Sequence, residues 1–237
     1  YMTIDIYADG ADLAMMSVLA GDPQVAGFTT NPTLARKAGV GNYLEFCKIA
    51  LEAAGSKPVS LEVLADEPDE VLRQAHILHD LGPNAVIKVP VTNSVGFPLG
   101  AVIVELSRHK MPLNITAVFT TAQVADIGFA LRLSDNFMHP IVSVFAGRIA
   151  DAGVDPLAHV SACRRLLHSA CPHAKMLWAS PRQAYDITLA ERSGCEIITM
   201  TPDLIVKLAL RGKDLTEYSR ETVEMFYLDA QAANFEL

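Results

Sequence analysis

The chain has 237 residues, 51% of them hydrophobic and 19% charged, and carries a formal net charge of −8. That length suits one large domain or two small ones, and an acidic chain without a basic run excludes an ordinary nucleic-acid partner. The apolar runs are short and interrupted and no basic-then-apolar segment opens the chain, so neither a membrane span nor a membrane partner is expected.

Taken in order, short β-branched runs alternate with longer stretches of helical spacing. Tyr1 reads as a remnant ahead of a start at Met2. A strand over 3–9 leads to a helix over 11–20, a strand over 27–31 to a helix over 32–54, and a strand over 59–63 to a helix over 68–81. The next units pair 85–91 with 95–109, 113–118 with 121–133, and 141–146 with 156–170. The last two pair 175–180 with 181–192 and 196–200 with 202–210. Pro32, Pro68, Pro156, Pro181 and Pro202 fit first-turn positions, where a missing N–H costs nothing. Eight β-then-α units predict an α/β fold, a closed (β/α)8 TIM barrel, with its working site at the C-terminal ends of the strands. A doubly wound open sheet is the alternative, but Asp9-Gly10-Ala11 after the first strand is no dinucleotide-binding loop.

Beyond the eighth helix, 213–237 forms a C-terminal helical extension to a single domain spanning 1–237. It carries Leu215, Tyr218, Met225, Phe226, Tyr227, Leu228 and Phe235, more apolar side chains than a solvated helix needs. It could cap the barrel bottom or dock on another subunit; a homo-oligomer is expected.

Cys47, Cys163, Cys171 and Cys195 are scattered, so no disulfide is expected. His76 and His79 share a helix face, but no third ligand stands at metal-like spacing. No metal and no organic cofactor is expected, and the protein is read as cytoplasmic.

Lys88 lies inside the apolar run 85–91. A lysine there either pairs with a carboxylate as an internal ion pair or is held as a neutral amine that attacks a ketone. Side chains two apart share a face of a strand. If Lys88 points inward, so do Val86 and Pro90. The same parity places Asp5, Tyr7 and Asp9 on one face, Thr29 with Asn31, Ser60 with Glu62, Asn114 with Thr116, and Ser143 with Phe145. Five strands thus carry polar residues near their C-terminal ends, where an ordinary core would use Val or Leu, and predict a polar mouth around Lys88. Arg148 beyond the sixth strand, with Ser180 and Arg182 at the start of the seventh helix, could hold a phosphate. Alternatively the arginines pair locally, Arg148 with Asp151 and Arg182 with Asp186.

The stretches IYADGAD, AGFTTNPTL, VSLEV, IKVPVT, LNITAVFT, SVFAGRI, WASPRQAYDI and GCEIITMTPDLI, in this order over nearly the whole chain, resemble the transaldolase family. In length the chain resembles the small subfamily that also contains fructose-6-phosphate aldolase. The resemblance implies a class I aldol mechanism on small-molecule sugar phosphates. Lys88 would be the Schiff-base lysine, Asp9 the acid/base, and Glu62 would work through a water with Thr116. It implies that Thr29, Asn31, Asn114 and Ser143 hold a dihydroxyacetone portion, and that Arg148, Ser180 and Arg182 hold the phosphate. Gly10-Ala11 is a departure, since the family usually has Thr-Ser or Thr-Gly after the aspartate.

Within the family, Glu62 and Phe145 match the transaldolase side, whereas fructose-6-phosphate aldolase has Gln and Tyr there. The expected activity is transfer of dihydroxyacetone from a ketose phosphate to an aldose phosphate. The alternatives are a lyase releasing free dihydroxyacetone, a transaldolase for a ketose with another anionic tail, and a non-catalytic sugar-phosphate-binding barrel.

Overall fold

The computed structural model describes residues 4–133 and 139–233. The expected strand start at Thr3, the Tyr1-Met2 junction and Phe235 lie outside the described residues. Eight parallel strands close a barrel in sequence order: β1 (Asp5–Asp9), β2 (Val25–Thr29), β3 (Val59–Glu62), β4 (Ala85–Pro90), β5 (Leu113–Val118), β6 (Ile141–Val144), β7 (Lys175–Trp178) and β8 (Ile197–Met200). The last strand pairs with the first, Tyr7 opposite Thr199. The fold is the (β/α)8 barrel read from the alternation of β-branched runs and helical spacing.

Strand parity sorts the side chains as the two-residue period requires. Ile6, Ala8, Ile87, Val89, Met176, Trp178 and Ile198 join the apolar layer between strands and helices. Tyr7, Ile141, Leu177 and Ile197, each one residue out of phase with these, pack together inside the barrel. Gly27 has no side chain because the Tyr7 ring occupies that space; a Cβ there would lie 2.7 Å from the ring. The barrel floor is therefore filled by Tyr7 and its aliphatic partners, and the polar members of the inward set are left for the mouth.

The helices are α1 (Leu13–Ala20), α2 (Pro32–Lys37), α3 (Tyr43–Ala54), α4 (Pro68–His79), α5 (Gly100–Arg108) and α6 (Thr121–Arg132), then α7 (Ala146–Asp151), α8 (Pro156–Ala170), α9 (Asp186–Ser193), α10 (Pro202–Lys207) and α11 (Leu215–Ala233). Several are started by side-chain caps worth about 1 kcal/mol each: Asp12, Asn31, Asn42 and Asp155 accept backbone N–H groups, and Thr120 forms a capping box with Gln123.

Four expected helices differ. The stretch 32–54 is two helices, because Gly39 turns the chain at φ +76° and Asn42 caps a new start. The fifth helix starts at Gly100 rather than 95, since the Asn93 side chain accepts from Val95 and Phe97 N–H and holds a turn instead. Pro181 precedes a turn, not a helix: the Asp186 carboxylate accepts the N–H groups of Arg182 and Gln183, and α9 begins only there. The eighth helix ends at Lys207 and continues as a 3₁₀ turn over Leu208–Leu210. The sixth strand, expected over 141–146, ends at Val144, and a short helix, α7, starts at Ala146.

None of the described residues of α11 is buried, so it does not cap the barrel; Leu215, Met225, Phe226, Tyr227 and Leu228 are exposed. Among the described residues, no helix is long and apolar enough to cross a membrane.

Candidate active site

The cavity at the C-terminal mouth, about 180 Å³, is lined by Asp9, Thr29, Asn31, Lys88, Thr116, Ser143, Phe145, Arg148, Ser180, Arg182 and Thr199, among others. Ten of these eleven side chains are ones the sequence singled out; Thr199 is the addition. Parity on β8 would have found it, because Thr199 interrupts an otherwise apolar strand as the polar residues of five other strands do.

Lys88 is 6% exposed and enters from the inward face of β4. Its Nζ donates to the Thr30 carbonyl at 2.9 Å and lies 3.0 Å from Glu62 Oε2. Register makes this pairing: Glu62 of β3 stands beside Lys88 of β4, which stands beside Asn114 of β5. Tyr43 of α3 fixes the end of β3, its hydroxyl donating to the Glu62 carbonyl at 2.9 Å and accepting the Glu62 N–H at 3.2 Å. Burial raises the Tyr43 phenol far above its ordinary range, so it serves as a neutral clamp.

Two of the expected residues do not line the cavity. Glu62 reaches it only through Lys88, its other side facing a separate apolar recess under Tyr43 and Leu64. Asn114 is fully buried, donating to Ser60 Oγ at 3.0 Å and accepting from Ser143 Oγ at 2.7 Å. It holds Ser143, which lines the wall. Among the described residues Thr116 Oγ1 is buried with no hydrogen-bond partner, although buried hydroxyls are ordinarily hydrogen-bonded. Ala117 beside it takes φ +58°, a local irregularity in the β5–β6 pairing.

Asp9 ends β1. Burial pushes its carboxyl above the ordinary range, Lys88 and the Thr29 hydrogen bond pull it down, and Glu62 pushes it up; the net direction is upward. Thr29 Oγ1 donates to Asp9 Oδ1 at 2.8 Å. Asn31 spends its Oδ1 capping α2 through the Leu34 N–H at 3.0 Å, which leaves its amide NH₂ for the cavity it lines.

On the opposite side, Gly147 lets α7 abut the end of β7. A Cβ at Gly147 would fall 1.6 Å from the Ser180 carbonyl oxygen, and Ser180 itself sits at φ +62°. This contact brings Arg148, Ser180 and Arg182 to one corner. The arginines do not pair as local sequence suggested. Arg182 pairs with Asp151, while Asp186 takes backbone N–H groups instead. Arg148 forms no ion pair among the described residues; its guanidinium lies 5.6 Å from the Phe145 ring centroid, and Phe145 packs against Phe119 at 5.5 Å. Among the described residues, no group of three His, Cys, Asp or Glu side chains is placed to hold a metal ion.

The family described as Transaldolase/Fructose-6-phosphate aldolase matches residues 6–237. The chain belongs to the transaldolase/fructose-6-phosphate aldolase family. A "probable transaldolase" from Paracoccus denitrificans is 31% identical over 218 residues, 91% of this chain and 94% of that protein. One from Thermoplasma volcanium is 29% identical over 208 residues, 87% of each. Among solved structures, dihydrodipicolinate synthase from Rhodopseudomonas palustris aligns with a TM-score of 0.60 at 13% identity, covering 97% of this chain and 80% of that one. An HpcH/HpaI aldolase/citrate lyase family protein from Burkholderia cenocepacia aligns at 0.57 and 12%, covering 93% and 95%. At such identities these structures share the barrel alone.

A carboxyl whose folded value is raised binds a proton more readily in the native chain than in the unfolded one. Stability therefore falls as pH rises through the window above the ordinary value of 3.8. Asp9→Asn keeps an acceptor for Thr29 and removes the charge. At neutral pH it is expected to raise Tm, by roughly 2–4 °C per kcal/mol relieved, with the gain shrinking as pH falls toward 3.8. Calorimetric scans at both pH values check this; a lower Tm for the variant at neutral pH would contradict it.

Proposed function

We propose that this chain is a transaldolase, moving a dihydroxyacetone unit from a ketose phosphate of the fructose 6-phosphate or sedoheptulose 7-phosphate type to an aldose phosphate. The observation that carries the reading is the buried Lys88 amine, 3.0 Å from a carboxylate and open to a cavity that also holds Asp9. An ion pair serving stability alone has no need of that cavity.

In this reading Glu62 takes the ammonium proton and frees the amine, which adds to the ketose carbonyl. The carbinolamine loses water as Glu62 returns the proton, with the unpartnered Thr116 hydroxyl holding that water, and the iminium on Lys88 becomes an electron sink. Asp9 then removes the proton of the hydroxyl on the carbon beyond the scissile bond. The carbon–carbon bond breaks, its electron pair enters the iminium, and an aldehyde phosphate leaves while a three-carbon enamine stays on Lys88. The acceptor aldehyde reverses these steps, its new hydroxyl proton coming from Asp9. The raised carboxyl of Asp9 suits a group that must both take and give a proton.

Thr29, Asn31 and Ser143 hold the hydroxyls of the three-carbon unit, with Asn114 holding Ser143 in place. Arg148, the Ser180 hydroxyl and Arg182 bind the phosphate, which competes with Asp151 for Arg182. Phe145 offers water no hydrogen bond beside the enamine, and so favours transfer over hydrolysis. The exposed apolar side chains of α11 are covered in a homo-oligomer of this chain.

Fructose 6-phosphate is expected to turn over mainly when an aldose phosphate such as erythrose 4-phosphate is present, and Phe145→Tyr is expected to increase acceptor-independent release of dihydroxyacetone. Wild-type release at equal rates with and without acceptor would make the protein a lyase. Sedimentation velocity of the full chain against one ending at Asp214 checks the role of α11: a smaller assembly is expected on truncation, and a monomeric full chain would contradict it.

A further inference from the structure

Asp9 is joined through Thr29 to Thr199, a residue of the neighbouring strand β8. Thr29 Oγ1 lies 2.8 Å from Asp9 Oδ1 and 2.5 Å from Thr199 Oγ1. Thr29 belongs to β2 and Thr199 to β8, the two strands that flank β1, so their hydroxyls meet across the inward face of β1 beside Asp9. Thr199 is 6% exposed and lines the cavity wall.

The donor inventory fixes the direction of this chain. An ionised carboxylate only accepts, and a threonine hydroxyl has one proton. With Asp9 ionised, the Thr29 proton goes to Asp9, so the proton in the contact between the two threonines is that of Thr199. Once Asp9 carries a proton on Oδ1, it donates to Thr29, and Thr29 turns its own proton to Thr199. Each hydroxyl keeps its proton, only the O–H directions reverse, and no heavy atom moves. With Thr29 alone the reversed hydroxyl would lose its protein acceptor, whereas Thr199 supplies that acceptor and can turn its own proton toward the cavity it lines.

We propose that Thr199 is a positioning residue that, through Thr29, keeps Asp9 hydrogen-bonded and aligned in both its proton-accepting and its proton-donating state. The proposal rests on the reading of Asp9 as the acid/base of the reaction. Donation from Thr199 polarises the Thr29 hydroxyl toward the carboxylate, because hydrogen bonds in a chain strengthen one another. That polarisation acts only in the ionised state; when Asp9 is protonated, Thr199 is the acceptor for the Thr29 proton. Losing an acceptor costs more than losing the polarisation, so removing the Thr199 hydroxyl disfavours the protonated form of Asp9.

The other charged groups around Asp9 are untouched by such a change. Lys88 of β4 and Glu62 of β3 act on it through space, and Asp5 shares its strand. Asp12 lies beside the same small cleft behind it, and Arg148 and Arg182 stand across the cavity. Among the described residues, β2 and β8 offer it no titratable side chain, only Thr29 and Thr199.

The test is Thr199→Val, of nearly the same shape, with Thr199→Ala as a second variant that cannot overpack and Thr199→Ser as the conservative control. Two readouts are taken on the full chain: the Asp9 carboxyl titrated by carbon-13 NMR without substrate, and the pH profile of dihydroxyacetone transfer from fructose 6-phosphate to erythrose 4-phosphate. In the Val and Ala variants the Asp9 titration and the acid limb of kcat/KM are expected to move to lower pH by about half a unit to one unit. The loss should fall on kcat rather than KM, with Ser close to wild type. Unchanged titration in Val and Ala, or a Ser variant that behaves like Val, overturns the proposal. A titration shift in a protein without transfer activity would instead leave the hydroxyl chain standing and remove the acid/base reading of Asp9.

Discussion

A lysine inside a parallel barrel is tolerated only if every polar contact it loses to water is replaced. Lys88 has the Thr30 carbonyl and the Glu62 carboxylate within 3.0 Å, and breaking a buried pair of this kind by removing one partner typically costs about 3–5 kcal/mol. Much of the surrounding structure serves to keep that pair in place. The β3–β4 register sets Glu62 beside Lys88, Tyr43 clamps the backbone of Glu62, and the break at Gly39 allows α3 to start afresh at the position from which Tyr43 reaches it. The floor of Tyr7, Ile141, Leu177 and Ile197 closes the barrel below, so that the polar residues converge at the open end.

The mouth divides into two halves of different chemistry. On the β1–β5 side stand titratable groups close enough to alter one another, as the opposing effects of burial, Lys88 and Glu62 on Asp9 make plain. On the β6–β7 side a cationic corner is built by backbone fit, with Asp151 pairing to Arg182. The side-chain-free face of Gly147 accepts the Ser180 carbonyl, and Ser180 takes a left-handed conformation to offer it. A non-glycine residue in that region is strained and persists only where its surroundings hold it. Carboxyl and amine groups at one end and guanidinium groups at the other suit the proposed substrate, a polar molecule with one anionic end.

Strand periodicity made the barrel legible, since inward polar residues recur on successive strands and a two-residue period leaves little freedom of phase. Lys88, Asp9 and Thr29 could be placed together for that reason. What the sequence concealed was mostly tertiary. Arg182 pairs with Asp151, 31 positions away, while its near neighbour Asp186 is drawn off by backbone N–H groups. Asn114 points into a buried network with Ser60 and Ser143 instead of the open cavity, a difference of depth that parity does not encode. The division of 32–54 was written in Gly39 and Asn42, but continuous apolar spacing on both sides outweighed them. Thr199 was available to the same parity reasoning that found the other strand residues.

The central claim is that the Lys88 amine becomes covalently joined to the ketose. Reduction with borohydride in the presence of fructose 6-phosphate and no acceptor, followed by peptide mass spectrometry, tests it most directly. A three-carbon dihydroxyacetone unit retained as a secondary amine on Lys88 is the expected product. Turnover without any such adduct, or an adduct on a different lysine, would contradict the account.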